Sequence, residues 1–408
     1  MASFSIALTG LQADTVALNT IGNNLSNLNT TAFKTQSTSF EDLFYQQIGT
    51  SGSNNAIQVG VGTKVSGTAT SYLQGSLSTT GNSTDMALSG NGFFVVQQGG
   101  VQSLTRAGNF QLDSAGNLTT VDGAQVMGYG ATGGVVSTNS SLVPLQLPIG
   151  STQAAVATQN VGLTANLNAG ASVGTSFTSP VTLYDSLGTT HAATITYTMS
   201  APNTWGYSVA LPGADATGSS NTTGTLTFNS AGALVSPAAN VPGITFSGMT
   251  DGASNLSFNW KLYDAKGNPT IAQSTAASTT TATSQDGYAS GVYQSFGVDA
   301  GGVITASFSN GQTTAIGQVA VASVANQQGL VLAGNNNFET SASSGLASIG
   351  VAGTGGRGTI QDSALEQSNV GISTEFANLI VAQRAFEANS KTMTTFDTIS
   401  QDTIGMIR

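Results

Sequence analysis

The chain has 408 residues, enough for two or three domains, each with its own core. Charged residues make up 7% and Gly reaches 51, against the roughly 25% and about 29 of average usage, so the surface must be built largely from Ser, Thr, Asn, Gln and Gly. A formal net charge of -10 without any basic run argues against nucleic acid as a partner, and zero cysteines exclude disulfides, thiolate metal sites and cysteine nucleophiles.

The opening MASFSIALTGLQADTV has no basic region and no continuous apolar run, so it does not read as a Sec-type signal peptide. No stretch approaches the roughly 18 apolar residues that span a bilayer, and no membrane insertion is expected. By signal logic the chain reads as cytosolic, and a signal-less export route would look identical. Leu11, Leu18 and Leu25 lie seven apart, with Ile21 and Leu28 repeating the interval beside Leu8 and Thr15. This predicts a coiled-coil-like stripe on a helix of about 25 residues, ended by the helix-poor NLNTT at 27–31.

In the middle the period falls to two. AATITYTM sets Ile195, Tyr197 and Met199 against threonines, and LSFNWKLY sets Leu256, Phe258, Trp260 and Leu262 against Ser257, Asn259, Lys261 and Tyr263. Both read as strands with one buried face. A turn signature recurs as DSAG at 113, DSLG at 185, NSAG at 229, DAKG at 264 and DAGG at 299. In each, Asp or Asn opens a type I turn and the Gly three residues on takes the left-handed position, giving a bulged hairpin. The middle is therefore an antiparallel β region of at least two lobes, with low-complexity stretches at 131–141, 150–176 and 274–286 marking the expected boundaries.

Candidate chemistry is sparse. His191 is the single histidine, so a multi-histidine metal site is impossible and any Ser-His-Asp triad must use it. It reads as a polar residue at a strand start, beside the turn that carries Asp185 and Ser186. Gly353, Gly355 and Gly358 satisfy G-x-G-x-x-G without a βαβ context and read as a flexible connector. The D-x-x-G turns lack the alternating oxygen ligands of a calcium loop. No catalytic, cofactor or metal site is predicted.

At the C-terminus Leu365, Ile372, Leu379, Phe386, Met393 and Ile407 hold one seven-residue track, broken only by Ser400, with Phe376 and Ile404 on the companion track. Ser363 and Glu366 have the spacing of a capping box, so a helix over 365–407 is expected, about 64 Å long. Ile380, Val381, Phe396 and Ile399 lie off the main track. That is more apolar surface than a single partner helix covers, which points to assembly through the ends.

The N-terminal TGLQADTVALNTIGNNLSNLNTTAFK resembles the signature of bacterial flagellar axial proteins of the rod and hook. LQGSLSTTGNSTDMALSGNGFFVV and LTRAGNFQLDSAGNLTTVDGAQVMGY are similar to their shared first β domain. VTLYDSLGTTHAATITYTM resembles the outer domain typical of hook members, and LEQSNVGISTEFANLIVAQRAFEANSKTMTTFD resembles the C-terminal helix signature. Gly371 departs from it, where the family commonly has an acidic residue.

The resemblance implies an α+β multidomain fold: terminal α-helices forming a coiled-coil-like core domain, with two mainly antiparallel β domains, the outer inserted into the inner. It places the helical core at 1–30 and 362–408, an extended linker at 31–70, the inner domain at 71–147 and 287–361, and the outer at 148–286. It implies a hook subunit, not an enzyme, that polymerises with copies of itself through Leu11, Leu18, Leu25, Ile372, Phe376, Leu379, Phe386 and Met393. The implied partners are the rod at the base, the hook-filament junction protein at the tip, and the hook cap and type III export apparatus during assembly, all at the extracellular flagellum. Distal-rod and junction proteins are the related alternatives, and a secreted β-rich adhesin or binding module is the rival class.

Overall fold

The computed structural model describes residues 2–52 and 56–406. Helix α1, Ala2–Ser26, opens the chain and helix α2, Ile372–Met406, closes it, with β structure in between. Among the described residues no helix is long and apolar enough to cross a membrane. The chain folds into two compact units, one of residues 1–149, 296–306 and 314–408, the other of 150–295 and 307–313.

Residues 31–70, expected as an extended linker, form two antiparallel ladders. Gln36–Asp42 pairs with Thr63–Thr70, and Gln46–Thr50 pairs with Ala56–Val59. These strands escape a period-two reading because almost all of their residues are exposed, so no single face had to be apolar.

In the first unit Phe93–Gln98 pairs with Val101–Thr105 and Gln125–Thr132, and Thr313–Ser323 joins this sheet through Val319, Val321 and Ala322. Phe93, Val95, Leu104, Met127, Tyr129, Ala320 and Phe338 form its core. The returning chain then pairs Thr359–Asp362 with Met86–Ser89 and Ala364–Glu366 with Leu77–Thr79, on its way into α2.

The second unit is a sandwich. One sheet is antiparallel, in the order Ser176–Tyr184, Thr190–Ala201, Thr204–Ala210, Thr223–Phe228, Leu234–Ser236. The other contains Ala216–Ser220, Val241–Met249, Leu256–Lys261, Asn160–Asn168 and Ile271–Ser274, with Thr279–Gln285 on Asn160–Asn168. In it Asn160–Asn168 runs parallel to two of its neighbours, the exception in a mainly antiparallel structure. Ile195, Tyr197 and Met199 from the first sheet meet Leu256, Phe258 and Trp260 from the second in one core, as the alternation predicts. Trp260 stacks edge-on against Tyr207 at 5.0 Å and lies 6.1 Å from Tyr197.

All five D/N-x-x-G segments are bulged turns. Gly116, Gly188, Gly232, Gly267 and Gly302 all have φ between 79° and 85°, and each donates to the carbonyl of the Asp or Asn three residues back. The low-complexity stretches 150–176 and 274–286 are not bare boundaries: they carry Asn160–Asn168 and Thr279–Gln285, paired with each other. The unit extends beyond 286 because Asp286 Oδ1 accepts from the Gln159 and Asn160 amides at 2.8 and 2.9 Å, and Tyr288 bridges to Val156.

Candidate functional site: the paired terminal helices

α1 and α2 pack against each other. Asn389 lies against Gly10 and donates to Asp14 Oδ2 at 2.8 Å, while Ala32 N–H and Asn369 N–H tie the end of the α1 segment to the start of α2. The pair is therefore antiparallel, and by this register α2 runs past the start of α1 from about residue 398.

The buried face of α1 is made of small residues, Ala7, Gly10 and Ala13, and continues into Thr20 and Asn24. A Cβ on Gly10 would stand 2.7 Å from Asn389 Nδ2, so even a methyl there must displace the Asn389 amide. Asn24 exchanges two hydrogen bonds with the Gln36 backbone, and Thr38 Oγ1 donates to Thr20 Oγ1 at 2.9 Å, seating α1 on the 31–70 ladder. Leu11, Leu18 and Leu25 are half-buried beside this seam. On α2, Leu379 and Met393 are half-buried, and Ile372, Phe376 and Phe386 are exposed. The expected stripe is therefore real as a face, but small residues make the pairing within one chain. With Ile380, Val381, Ile399 and Ile404 also exposed, α2 presents an apolar surface that its own chain leaves uncovered.

The C-terminal helix begins later than the sequence predicts. Leu365 and Glu366 belong to the strand Ala364–Glu366, Ser363 has φ 53° instead of capping a helix, and α2 starts after Gly371, whose carbonyl accepts from Glu375 N–H. Glu366 is withdrawn from any capping role by stronger partners. Its Oε1 accepts from Lys34 Nζ at 2.7 Å and from Gly75 N–H at 2.8 Å, and Arg106 Nε forms an ion pair with Oε2 at 3.2 Å. Arg106 also donates to the Gly90 and Gly92 carbonyls. All three charged side chains are buried. Burial pulls the Lys34 and Arg106 pKa values down, against the opposing pull of Glu366. Ile407, the last residue of the heptad track, lies outside the described residues.

Models of flagellar axial domains match most of the chain: a flagella basal body rod protein model over 4–34, the flagellar hook protein FlgE/F/G D1 domain over 87–161, the flagellar basal body protein FlaE D2 domain over 166–288 and the flagellar basal body rod FlgEFG protein C-terminal model over 361–406. The flagellar hook protein FlgE of Escherichia coli K12 is 34% identical over 411 residues, covering 97% of this chain and 98% of the relative. The chain belongs to the flagellar hook protein family. FlgE of Treponema pallidum is 32% identical over 463 residues with both chains fully covered. A Helicobacter pylori FlgE2 crystal structure shares the fold at TM-score 0.54 and 15% identity, over 71% of this chain and all of the other.

Two charged constellations of this hook-family chain escaped the sequence reading. Lys34 and Glu366 are 332 residues apart, and only the scarcity of charge hinted that each one matters. His191 does sit at the start of a strand, as expected, but it is buried among carboxylates. Its Nδ1 is 2.9 Å from Asp215 Oδ2, and its Nε2 is 3.1 Å from Asp185 Oδ2 and 3.7 Å from Asp251 Oδ2. Gly353, Gly355 and Gly358 form a closed turn between two strands, with Arg357 Nε donating to Val351 O at 3.1 Å, in place of the expected flexible connector.

Proposed function

We propose that this chain is a structural subunit of the bacterial flagellar hook and polymerises into a curved, flexible tube that carries torque from the rod to the filament. The uncovered apolar face of α2 is the observation that carries the reading. Burying it against neighbouring subunits removes Phe376, Ile380, Val381 and Phe386 from water, at roughly 25 cal/mol for each Å² of apolar surface.

In this reading Leu11, Leu18, Leu25, Ile372, Phe376, Leu379, Phe386 and Met393 form the polymerisation core. The terminal helices line the inner tube, the 31–70 hairpins surround it, residues 71–149 with 296–306 and 314–371 form the inner β domain, and 150–295 with 307–313 the outer. A charge-poor exterior makes few strong ion pairs, so outer surfaces of neighbouring subunits slide past one another as the tube turns. The role is mechanical, without catalysis. The rod binds at the base and the junction protein at the tip. The subunit passes unfolded through the type III export apparatus and is added under the cap at the extracellular tip.

Leu379→Pro tests this. Pro in a helix interior costs roughly 3 kcal/mol and breaks α2 in its third turn. Tube formation should stop while the melting of the β units stays nearly unchanged. Tubes from this variant would show that α2 does not hold the polymer together.

A further inference from the structure

We propose that His191 is a proton-operated bolt in the second unit, holding the ends of its two sheets together while the imidazole is charged and releasing them when it is neutral. His191 and Asp185 lie on the hairpin joining Ser176–Tyr184 to Thr190–Ala201, in one sheet. Asp215 immediately precedes Ala216–Ser220, and Asp251 closely follows Val241–Met249, both strands of the other sheet. The single histidine of the chain therefore spans the sandwich at one end.

The donor count requires the charged form. A carboxylate only accepts hydrogen bonds, and a neutral imidazole has one N–H. Both ring nitrogens are at hydrogen-bond distance from carboxyls, Nδ1 from Asp215 and Nε2 from Asp185, so with both carboxyls ionised both nitrogens must carry hydrogen. Loss of either proton turns a lone pair toward a carboxylate about 3 Å away at a buried position. Asp251 adds a third carboxylate around the ring, and among the described residues no Lys or Arg pairs with any of the three. Neutral bonds span the same turns: Ser254 N–H donates to Ser186 Oγ at 2.9 Å and Thr250 Oγ1 to the Ala214 carbonyl at 2.7 Å. Losing the bolt thus loosens this end without dismantling the sandwich.

Burial disfavours the imidazolium, but the bonds to Asp215 and Asp185 outweigh it and raise the His191 pKa above its ordinary value. Burial also opposes ionisation of Asp185, yet a hydrogen bond from the Asp251 carboxyl and bonds from His191 and the Thr189 and Leu187 amides hold its pKa down at about 2. A histidine raised on folding contributes fully below its unfolded value of about 6.5 and loses that contribution as pH climbs through the folded value. Asp185 contributes above the ordinary carboxylate range and loses it only as pH falls toward about 2. The bolt is closed in mild acid and opens as pH rises through the folded His191 value, which lies above about 6.5. None of this depends on polymerisation.

The test uses the full chain with its histidine isotopically labelled, so that NMR shows one ring. The His191 midpoint should lie above about 6.5. Hydrogen-exchange protection of the turns at 186–189, 214–215 and 250–254 should fall at least tenfold as pH crosses that midpoint, after correction for intrinsic exchange. Asp215→Asn should lower the midpoint, and His191→Gln should abolish the pH dependence of protection while circular dichroism shows the fold intact. A midpoint at or below about 6.5, or protection that does not change across it, overturns the proposal. Should His191→Gln fail to fold, the Asp215→Asn titration decides alone, and an unmoved midpoint counts against the bolt.

Discussion

Glu366→Gln removes one negative charge from between two buried cations and leaves the shape nearly intact. Lys34 and Arg106 lie 2.7 and 3.2 Å from the two Glu366 oxygens, and their side chains are 2% and 5% exposed. Removing one member of a buried ion pair costs about 3–5 kcal/mol, because the remaining charge is left uncompensated. The glutamine oxygen still accepts from Lys34 Nζ or Gly75 N–H, which places the expected loss near the lower end, about 3 kcal/mol. The loss should be confined to the transition of the unit containing residues 1–149, followed by calorimetry and by urea unfolding with probes in each unit. It should also acquire a pH signature. Burial already holds Lys34 below its ordinary pKa, and without Glu366 that value falls further. The unfolded chain then binds the extra proton, so the variant gains stability as pH rises toward about 10. The exposed pair Lys64–Glu41, at 2.6 Å with side chains 56% and 44% exposed, supplies the control. If Glu366→Gln costs no more than Glu41→Gln, or lowers both units equally, the buried charges are not what ties the two chain ends to the first unit.

Gly10→Ala displaces the Asn389 amide from Asp14, losing about 1 kcal/mol of hydrogen bond against a similar gain in helix propensity, so the helix pair should survive with little net change. Gly10→Leu should instead wedge the helices apart, seen as lost protection of α1 amides in hydrogen exchange. Trp260→Ala empties the centre of the sandwich and should cost the second unit about 3–5 kcal/mol in urea unfolding, with the first unit's transition unmoved.

The parts of the fold legible in the sequence are those whose determinants are local. Each D/N-x-x-G turn is fixed by one side chain and one glycine, and each of the five appears where its four letters stand. Alternation in AATITYTM and LSFNWKLY revealed strands because one face of each meets the sandwich core. Periodicity misled at Leu365, which continues the heptad by count but lies in a strand, because pairing with Ser78 and burial of Glu366 outweigh the pattern. The 31–70 ladders gave no signal, since neither face is buried. The apolar face of the helices was legible, but Gly10 and Ala13 as the contact surface were not, because small residues carry no weight in a hydrophobic stripe. Lys34, Arg106 and Glu366 are joined only by the tertiary fold, as are Asp215 and Asp251 with His191, whereas Asp185 was already its neighbour on the hairpin.

The central claim is that the exposed face of α2 is the assembly surface. Its most direct test is negative-stain microscopy of the full chain beside a Phe376→Asp, Phe386→Asp double variant, both concentrated with a precipitating salt. Both substitutions fall on exposed positions, so the two chains should melt alike. Tubes from the unaltered chain and dispersed particles from the variant are the expected result. Tubes of equal length and number from both would contradict the account.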